Sequence, residues 1–134
     1  ILPTITPNVS INTQTHGSPL GDYMRSLHLL VDLDVEIVLP AHEFEIHDLK
    51  KRLREIEDHH EVRLDEMVTC VDRGGSTAWE VAGRVKWATG SLADFEPHMQ
   101  RAAVGETIAH LEYLFETGRL AKVMRDARAY WLPV

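Results

Sequence analysis

The chain has 134 residues, enough for one ordinary domain or two very small ones. Its composition, 44% hydrophobic and 26% charged, is typical of a globular protein, and its formal net charge is -7. All the excess acid lies in residues 1–75, so the chain disfavours nucleic acid as a partner. The single cysteine, Cys70, excludes an intrachain disulfide and a cysteine-based zinc site.

The sequence also carries a few indications of cellular location. A chain with one unpaired cysteine is typical of the cytoplasm, and we expect that location. No apolar run reaches roughly 18 residues, and no basic stretch precedes an apolar one. The sequence therefore predicts neither a membrane span nor a signal peptide.

The first third of the chain predicts a loop, a helix and a strand. Residues 1–21 are rich in Pro, Gly, Thr, Ser and Asn, which indicates a loop with little regular structure. Asp22 is the predicted N-cap of a helix that runs to about Asp32, because apolar residues follow at helical spacing. Residues 36–40 form a short apolar run that predicts a buried strand, which ends at Pro40 because proline has no amide hydrogen.

His42 follows directly after the predicted strand. Side chains just beyond a strand end often carry the chemistry of α/β enzymes, which makes His42 a candidate functional residue. A histidine in an ordinary surface loop would give the same pattern, so both interpretations stay open at this point. A single strand also needs sheet partners, and no later stretch has the pattern of a parallel partner. We therefore expect part of the sheet to come from outside this sequence.

A long helix is predicted from about Glu45 to Asp72. Apolar residues recur there at steps of three and four, and no proline or glycine interrupts them before Gly74 and Gly75. The charges between them are most simply a solvated face with i,i+4 pairs. The same apolar seam would also suit a coiled-coil homodimer, which stays open as an alternative.

Residues 73–134 predict two further helices and a hairpin. Ser76 or Thr77 caps a short helix, and a second helix runs from about Met99 to Thr117. Residues 120–123 and 128–132 are two short apolar runs around a polar turn, which predicts a β-hairpin. With the end of the long helix placed first, this order is that of a winged helix-turn-helix.

A winged helix raises the question of DNA binding. The helix at 99–117 carries Arg101 against Glu106, Glu112 and Glu116, so contact between that face and phosphates would be repulsive. Basic side chains are concentrated in the hairpin. Their simplest role is to keep the wing soluble rather than to contact DNA. We therefore expect no nucleic-acid partner.

The spacing of the eight histidines does not predict a complete metal site. His42 and His47 lie on either side of a predicted turn from strand to helix, which is weak spacing for chelation. His59 and His60 are adjacent on a helix, so one should face the core and the other solvent. His110 fits a packed or capping position. No nucleophile elbow, phosphate-binding loop or dinucleotide motif occurs, so the sequence predicts no self-sufficient active site.

Short motifs follow one another along the chain in a set order: Ile1-Leu2-Pro3 through Ile5-Thr6-Pro7, Pro19-Leu20, Asp22-Tyr23, Ser26-Leu27, Leu39-Pro40-Ala41-His42 and His59-His60-x-x-Arg63. Together they resemble the C-terminal part of metallo-β-lactamase-fold hydrolases. The later residues resemble the winged-helix domain that some of these enzymes append, through Thr77, Glu80-Val81, Ala109-His110-Leu111, Leu114, Gly118 and Trp131.

The resemblance implies a β-sandwich flanked by helices, with one or two metal ions, usually zinc, at its edge. His42 is similar to the final histidine ligand of the family, although Ala41 and Glu43 stand where glycine is common. The other ligands of the family are absent, and the chain begins at Ile1, directly after the place of an aspartate ligand. The resemblance therefore implies that a longer parent uses a metal-bound hydroxide to attack a carbonyl or phosphoryl centre, whereas this chain alone holds no zinc tightly and is inactive.

The predicted fold class is mainly α with a small β part (α+β). It comprises a metallo-β-lactamase sandwich remnant at residues 1–44, a long connecting helix at 45–72, and a winged helix-turn-helix with a C-terminal β-hairpin at 73–134. The predicted function is that of the C-terminal fragment of a zinc-dependent hydrolase for a small-molecule ester, thioester, lactone or phosphodiester, with the winged helix as a lid or wall beside the substrate. Two alternatives stay open: a stand-alone winged-helix module that binds nucleic acid or protein, and a helical dimerisation module at 45–72.

Overall fold

A computed structural model describes residues 1–11 and 17–134. The elements in chain order are α1 (Pro19–Leu30), α2 (Leu49–Thr69), α3 (Ala78–Arg84), a 3-10 turn (Leu92–Asp94), α4 (Pro97–Glu116), β1 (Leu120–Arg125) and β2 (Arg128–Pro133). The two strands form one small antiparallel sheet. The predicted class, mainly helical with a small β part, is confirmed, whereas the winged-helix assignment stays a prediction.

Helix α1 begins earlier than the sequence predicted. Its N-cap is Ser18 rather than Asp22, and the Ser18 hydroxyl accepts a hydrogen bond from the Gly21 amide at 3.3 Å. Pro19 suits the first helical position because an amide hydrogen there would have no partner within the helix. The predicted loop at residues 1–21 is confirmed for 1–11, while its last residues are helical and residues 12–16 lie outside the described part of the chain.

Helix α2 is one uninterrupted helix, shorter at both ends than the predicted span of 45–72. Asp48 caps it, because its side chain accepts a hydrogen bond from the Lys51 amide at 2.8 Å. The helix ends at Thr69, before the glycines that were expected to stop it. Its buried stripe confirms the predicted helical spacing and contains Leu49, Arg52, Leu53, Ile56, His60, Leu64 and Met67.

The predicted buried strand at residues 36–40 is wrong. Within the described residues its regular pairing is a single antiparallel bridge between Val38 and Ile46, with amide-to-carbonyl distances of 2.9 and 3.0 Å. The side chains of Ile37 and Leu39 are 47% and 76% exposed. A buried strand needs neighbouring strands for its backbone and a second layer for its side chains, and the described chain supplies only this bridge.

Helices α3 and α4 follow the predicted order, with cap residues that set their ends. The Thr77 hydroxyl accepts from the Glu80 amide, and the Glu80 carboxylate accepts from the Thr77 amide, which forms a capping box. Helix α4 begins at Pro97, two positions before the predicted start, because proline fits the first turn of a helix. Gly118, with φ 73, follows its C-terminus in the left-handed conformation that glycine adopts without strain.

The predicted β-hairpin is confirmed, with a tighter turn than expected. The register pairs Leu120 with Pro133 at its open end. Asp126 and Ala127 take φ values of 47 and 60, which makes a two-residue turn whose twist matches that of the strands. Trp131 also exchanges two backbone hydrogen bonds of 2.9 Å with Ser76, so the hairpin is attached to the start of α3.

The main apolar core joins all four helices to the hairpin. Its buried members include Leu27 from α1, Ile56 from α2, Val81 from α3, Leu111 from α4 and Leu120 from β1. This core crosses the predicted boundaries at 44 and 72, and the division into three units stays a prediction. In the part of the chain that the structure describes, no helix is both long and apolar enough to cross a membrane.

Residues 1–11, which we call the N-terminal strap, lie against α2 and α4. Arg52 on α2 is buried and donates from Nε to the Leu2 carbonyl at 2.7 Å. On α4, a Cβ at Gly105 would lie 2.2 Å from the Ser10 hydroxyl oxygen. The strap therefore approaches α4 about as closely as a glycine allows, and it connects the start of the chain to the helical core.

Candidate functional site

His42 lies in an exposed loop between the two residues of the bridge, Val38 and Ile46. The next residue, Glu43, has φ 68, a left-handed conformation that residues other than glycine rarely adopt. The Glu43 carboxylate accepts a hydrogen bond from the Thr4 hydroxyl at 2.6 Å, so the loop is attached to the N-terminal strap. The chain turns sharply here and leaves His42 accessible to solvent.

The described residues do not form a metal site by themselves. No three His, Cys, Asp or Glu side chains within residues 1–11 and 17–134 are grouped so that they could hold a metal ion. His47, the nearest other histidine in sequence, lies 3.5 Å from Glu45, measured from Nε2 to Oε2. A catalytic zinc takes about three protein ligands and a water, so His42 alone does not fit a complete zinc site.

The chain leading to His42 exposes an apolar face. Every second residue from position 31 to 39 is apolar, and the side chains are 37% to 76% exposed (Val31, Leu33, Val35, Ile37 and Leu39). Phe44, 61% exposed, adds to them. We call these six residues the apolar face. Such alternation, interrupted here only by Val38, is typical of a strand with one buried side. Several exposed apolar side chains along one segment favour a contact with another structural unit.

The histidines on the helices confirm the prediction that one of the adjacent pair faces the core. His60 and His110 are 2% and 1% exposed, whereas His59 is exposed. The distance from His60 Nδ1 to His110 Nε2 is 3.2 Å, and His110 Nδ1 lies 2.8 Å from the Glu106 carbonyl oxygen. A carbonyl can only accept, so His110 Nδ1 carries the hydrogen and His110 Nε2 accepts from His60. The two rings therefore connect α2 to α4 in the neutral form.

Burial makes this histidine pair a structural rather than a catalytic feature. Desolvation lowers the pKa of His60 to about 3 and that of His110 to about 4, and charge on the neighbouring ring further lowers the value for His60. His60 Nε2 and the Tyr23 hydroxyl are buried without a hydrogen-bond partner among the described atoms, and their rings lie edge to face with centroids 5.6 Å apart. The pair is closed off from solvent.

A concavity of about 320 Å³, which the sequence analysis missed, lies where α2 and α4 meet the strap. Its lining includes His59, Arg63, Trp87, Phe95, Met99 and Glu106, and we call it the α2–α4 groove. The clearest sequence signal for it was the His-His-x-x-Arg motif, whose first and last residues, His59 and Arg63, line the groove. The rest of its lining comes from segments that are far apart in the chain, so no local spacing could bring them together.

Charges on α4 and the hairpin are partly neutralised within the chain. Lys122 on β1 pairs with Glu112 on α4. Arg119 pairs with Glu61 and Asp65 on α2, at 3.1 and 2.5 Å. These pairs reduce the positive charge that the hairpin offers to an anionic partner, which is consistent with the expectation of no nucleic-acid partner. That expectation stays a prediction.

Two solved structures resemble this chain over nearly its whole length. One is a metallo-β-lactamase family protein from Thermus thermophilus, 32% identical, with a TM-score of 0.78 over 99% of this chain. The other is a β-lactamase domain protein from Burkholderia ambifaria, 25% identical, with a TM-score of 0.78 over 95% of this chain. No protein-family model matches the sequence.

The chain spans 39% and 37% of the lengths of these two proteins, respectively. The match therefore concerns one part of a larger architecture. The mixed-α structure with its two-stranded sheet is consistent with a β-lactamase-like fold of the α+β class. The structural neighbours of this chain are thus metallo-β-lactamase family proteins, and they indicate a hydrolase-type fold.

Proposed function

We propose that this chain is the C-terminal part of a longer zinc-dependent hydrolase of the metallo-β-lactamase fold, in which His42 supplies one metal ligand. The remaining ligands would come from outside the residues described here, because these residues contain no group of three suitable side chains. One observation carries the proposal: an accessible histidine follows the exposed apolar face in a chain that superimposes on a metallo-β-lactamase family protein.

The geometry of the His42 loop supports this role. Glu43 stands directly after His42 in a left-handed conformation, which suits the glycine that is common at this position in the family that the sequence resembles. The Thr4 hydroxyl holds the Glu43 carboxylate at 2.6 Å and so limits the movement of the loop. A ligand whose neighbouring backbone is already held in place loses less conformational freedom when it binds metal.

The apolar face supports a covering layer outside the described chain. Leu39 and Phe44 are 76% and 61% exposed, and burying such side chains contributes about 25 cal/mol per Å² of apolar surface. A sandwich layer packed on this face would bury the alternating side chains and would supply the strand partners that Val38 lacks beyond its bridge to Ile46.

Helix α1 argues against the alternative of a stand-alone winged-helix module with a linker at its N-terminus. A linker would not pack, whereas Leu20 and Leu27 of α1 are 0% and 1% exposed within the main core. The early part of the chain is therefore structurally integrated with the later part. We propose that residues 73–134 form a wall beside the substrate, which is a small-molecule ester, thioester, lactone or phosphodiester.

Metal content tests this function most directly. After dialysis against a weak chelator, elemental analysis of the 134-residue chain should find little or no zinc. The longer protein that contains this sequence should retain zinc and hydrolyse model esters, thioesters, lactones or phosphodiesters. In that protein, His42→Ala should lower zinc retention and reduce hydrolysis by at least about 100-fold, because a residue that binds the metal directly is lost.

His98→Ala is the matched control, because His98 is an exposed histidine at the start of α4 and has no proposed role. It should leave both metal content and hydrolysis unchanged. One tightly held zinc per 134-residue chain, or full activity of the His42→Ala protein, would contradict the proposal.

A further inference from the structure

The α2–α4 groove has an aromatic wall that is held in place by its own contacts. The rings of Trp87 and Phe95 pack edge to face with centroids 6.4 Å apart. Trp87 donates from Nε1 to the Ala82 carbonyl at 2.8 Å, which fixes the plane of the indole. Met99 of α4 also lines the groove. A volume of about 320 Å³ with such a wall suits a short apolar chain or ring.

On the α2 side, the groove presents the guanidinium group of Arg63. The Cζ atom of Arg63 lies 5.1 Å from the centroid of the Trp87 ring. Its Nη1 donates to Glu66 Oε2 at 2.8 Å and to the Lys86 carbonyl at 2.9 Å. Both hydrogens of Nη1 are therefore in use and hold the guanidinium group at a set position, so a ligand would accept from Nε or Nη2.

On the α4 side, the groove presents an acceptor. Glu106 accepts a hydrogen bond from the side-chain amide of Asn8 in the strap, with Oε2 2.6 Å from Nδ2. Burial raises the pKa of Glu106, and the charge of Arg63 opposes that rise. Burial, with smaller contributions from Arg63 and Arg52, lowers the pKa of His59, another polar residue of the groove, which favours its neutral imidazole.

We propose that the α2–α4 groove binds a neutral ligand that carries a secondary amide and an apolar arm. The amide carbonyl would accept from Arg63, the amide N–H would donate to Glu106, and the arm would lie on Trp87 and Phe95. An anion would meet the carboxylate of Glu106, and a cation would meet the guanidinium group of Arg63. Assigning this ligand to the substrate of the hydrolase rests on the function proposed above, whereas binding of the amide does not.

Three probes with apolar arms of five or six carbons separate these chemistries: N-hexylacetamide, hexanoate and hexylammonium. We would titrate each into the 134-residue chain and follow the NMR signals of the Trp87 indole N–H and the Met99 methyl group. N-hexylacetamide should bind with a Kd of the order of 1–10 mM, as expected for roughly ten non-hydrogen atoms. It should bind at least about fivefold more tightly than either charged probe. The Trp79 indole, outside the groove, should not shift.

Variants in the groove make the test specific. Ala102 is exposed on α4 and lines the groove, so Ala102→Phe should fill it and weaken binding of N-hexylacetamide at least about tenfold. Ala121→Phe, at an exposed position on β1, is the matched control and should leave binding unchanged. Glu106→Gln removes a negative charge but keeps the shape, so it should strengthen hexanoate binding roughly threefold.

Hexanoate or hexylammonium binding as tightly as the amide would overturn the assignment of ligand chemistry. Binding that is unaffected by Ala102→Phe, or titrations in which no probe shifts Trp87, would overturn the assignment of the site. These measurements need neither metal nor the rest of the hydrolase, so failure of the groove and failure of the proposed function are separate results. If the amide binds but His42→Ala has no effect on the longer protein, the groove remains a binding site and its assignment to the hydrolase substrate fails.

Discussion

Residues 31–44 and helix α4 are both strongly patterned in apolar side chains, yet they bury them to opposite extents. Leu39 and Phe44 are 76% and 61% exposed, whereas Leu111 and Leu114 are fully buried. Helix α4 packs against α1, α2, α3 and β1, whereas the segment before His42 has one bridge to Ile46. The period of a pattern therefore shows which side chains favour burial, but not whether the layer that covers them belongs to the same stretch of chain.

The largest expected effect is a loss of stability at low pH, caused by the buried histidines His60 and His110. His60 and His110 have folded-state pKa values of about 3 and 4, below the ordinary histidine value of about 6.5. The unfolded chain therefore binds more protons in this range, so stability is complete above about pH 6.5 and is lost as pH falls toward the folded-state values. Between pH 7.5 and 5.0 the free energy of unfolding should fall by about 2 kcal/mol for each histidine.

Urea denaturation at a series of pH values measures this loss. The double variant His60→Leu/His110→Leu should show a much flatter pH dependence across the same range, because both titrating rings are gone. His98→Asn, at an exposed position on α4, should keep the dependence of the unmodified chain. A chain equally stable at both pH values would show that the histidine pair is open to water.

The second effect compares two leucines that differ in burial. Leu111 is 0% exposed in the main core and Leu29 is 80% exposed on α1. Leu111→Ala should lower the free energy of unfolding by about 3 kcal/mol, since it removes buried methylene and methyl groups and leaves a cavity. Leu29→Ala should change it by less than about 0.5 kcal/mol. Equal effects in urea denaturation would mean that the core is not closed around α4.

The third effect concerns the strap, which links the His42 loop to the helical core. A side chain at Gly105 would push against Ser10, whereas a Cβ at Gly83 in α3 would meet nothing within 4 Å. Gly105→Leu should cost about 2 kcal/mol and detach the strap, which would appear as faster proteolysis near the N-terminus. Gly83→Leu should leave proteolysis unchanged. Retention of the strap in the Gly105→Leu protein would contradict the close approach of the strap to α4.

Local rules explain why most helices and the hairpin could be predicted. Helical spacing, the capping box at Thr77 and the polar turn before Arg128 act within a few residues, so one sequence carries their signal. Helix starts were misplaced where a cap side chain decides them, as at Ser18 and Asp48, because several nearby residues have similar capping ability. The strand at 36–40 was wrong because strand formation depends on partners that no local pattern specifies.

The two candidate sites also differ in how far the sequence could predict them. His42 could be singled out as a candidate from its position just after Pro40 and from the motif around it, since both are contiguous in sequence, and its role as a ligand stays a prediction. The α2–α4 groove could not, because Asn8, Trp87 and Glu106 meet only after the strap and α4 have packed on α2. Sites assembled from distant segments need tertiary contacts, and neither spacing nor composition predicts those contacts.

The smallest expected effect is also the one that relates the exposed segment to the proposed function. Leu39→Lys should change the stability of the 134-residue chain by less than about 0.5 kcal/mol, because Leu39 is already 76% exposed. In the longer protein the same substitution should cost about 2 kcal/mol, since the covering layer would have to take in a charge. Val62→Lys, at a 70% exposed position on α2, should be nearly neutral in both proteins. A neutral Leu39→Lys in the longer protein would mean that the apolar face stays in water and that no sandwich layer packs beside His42.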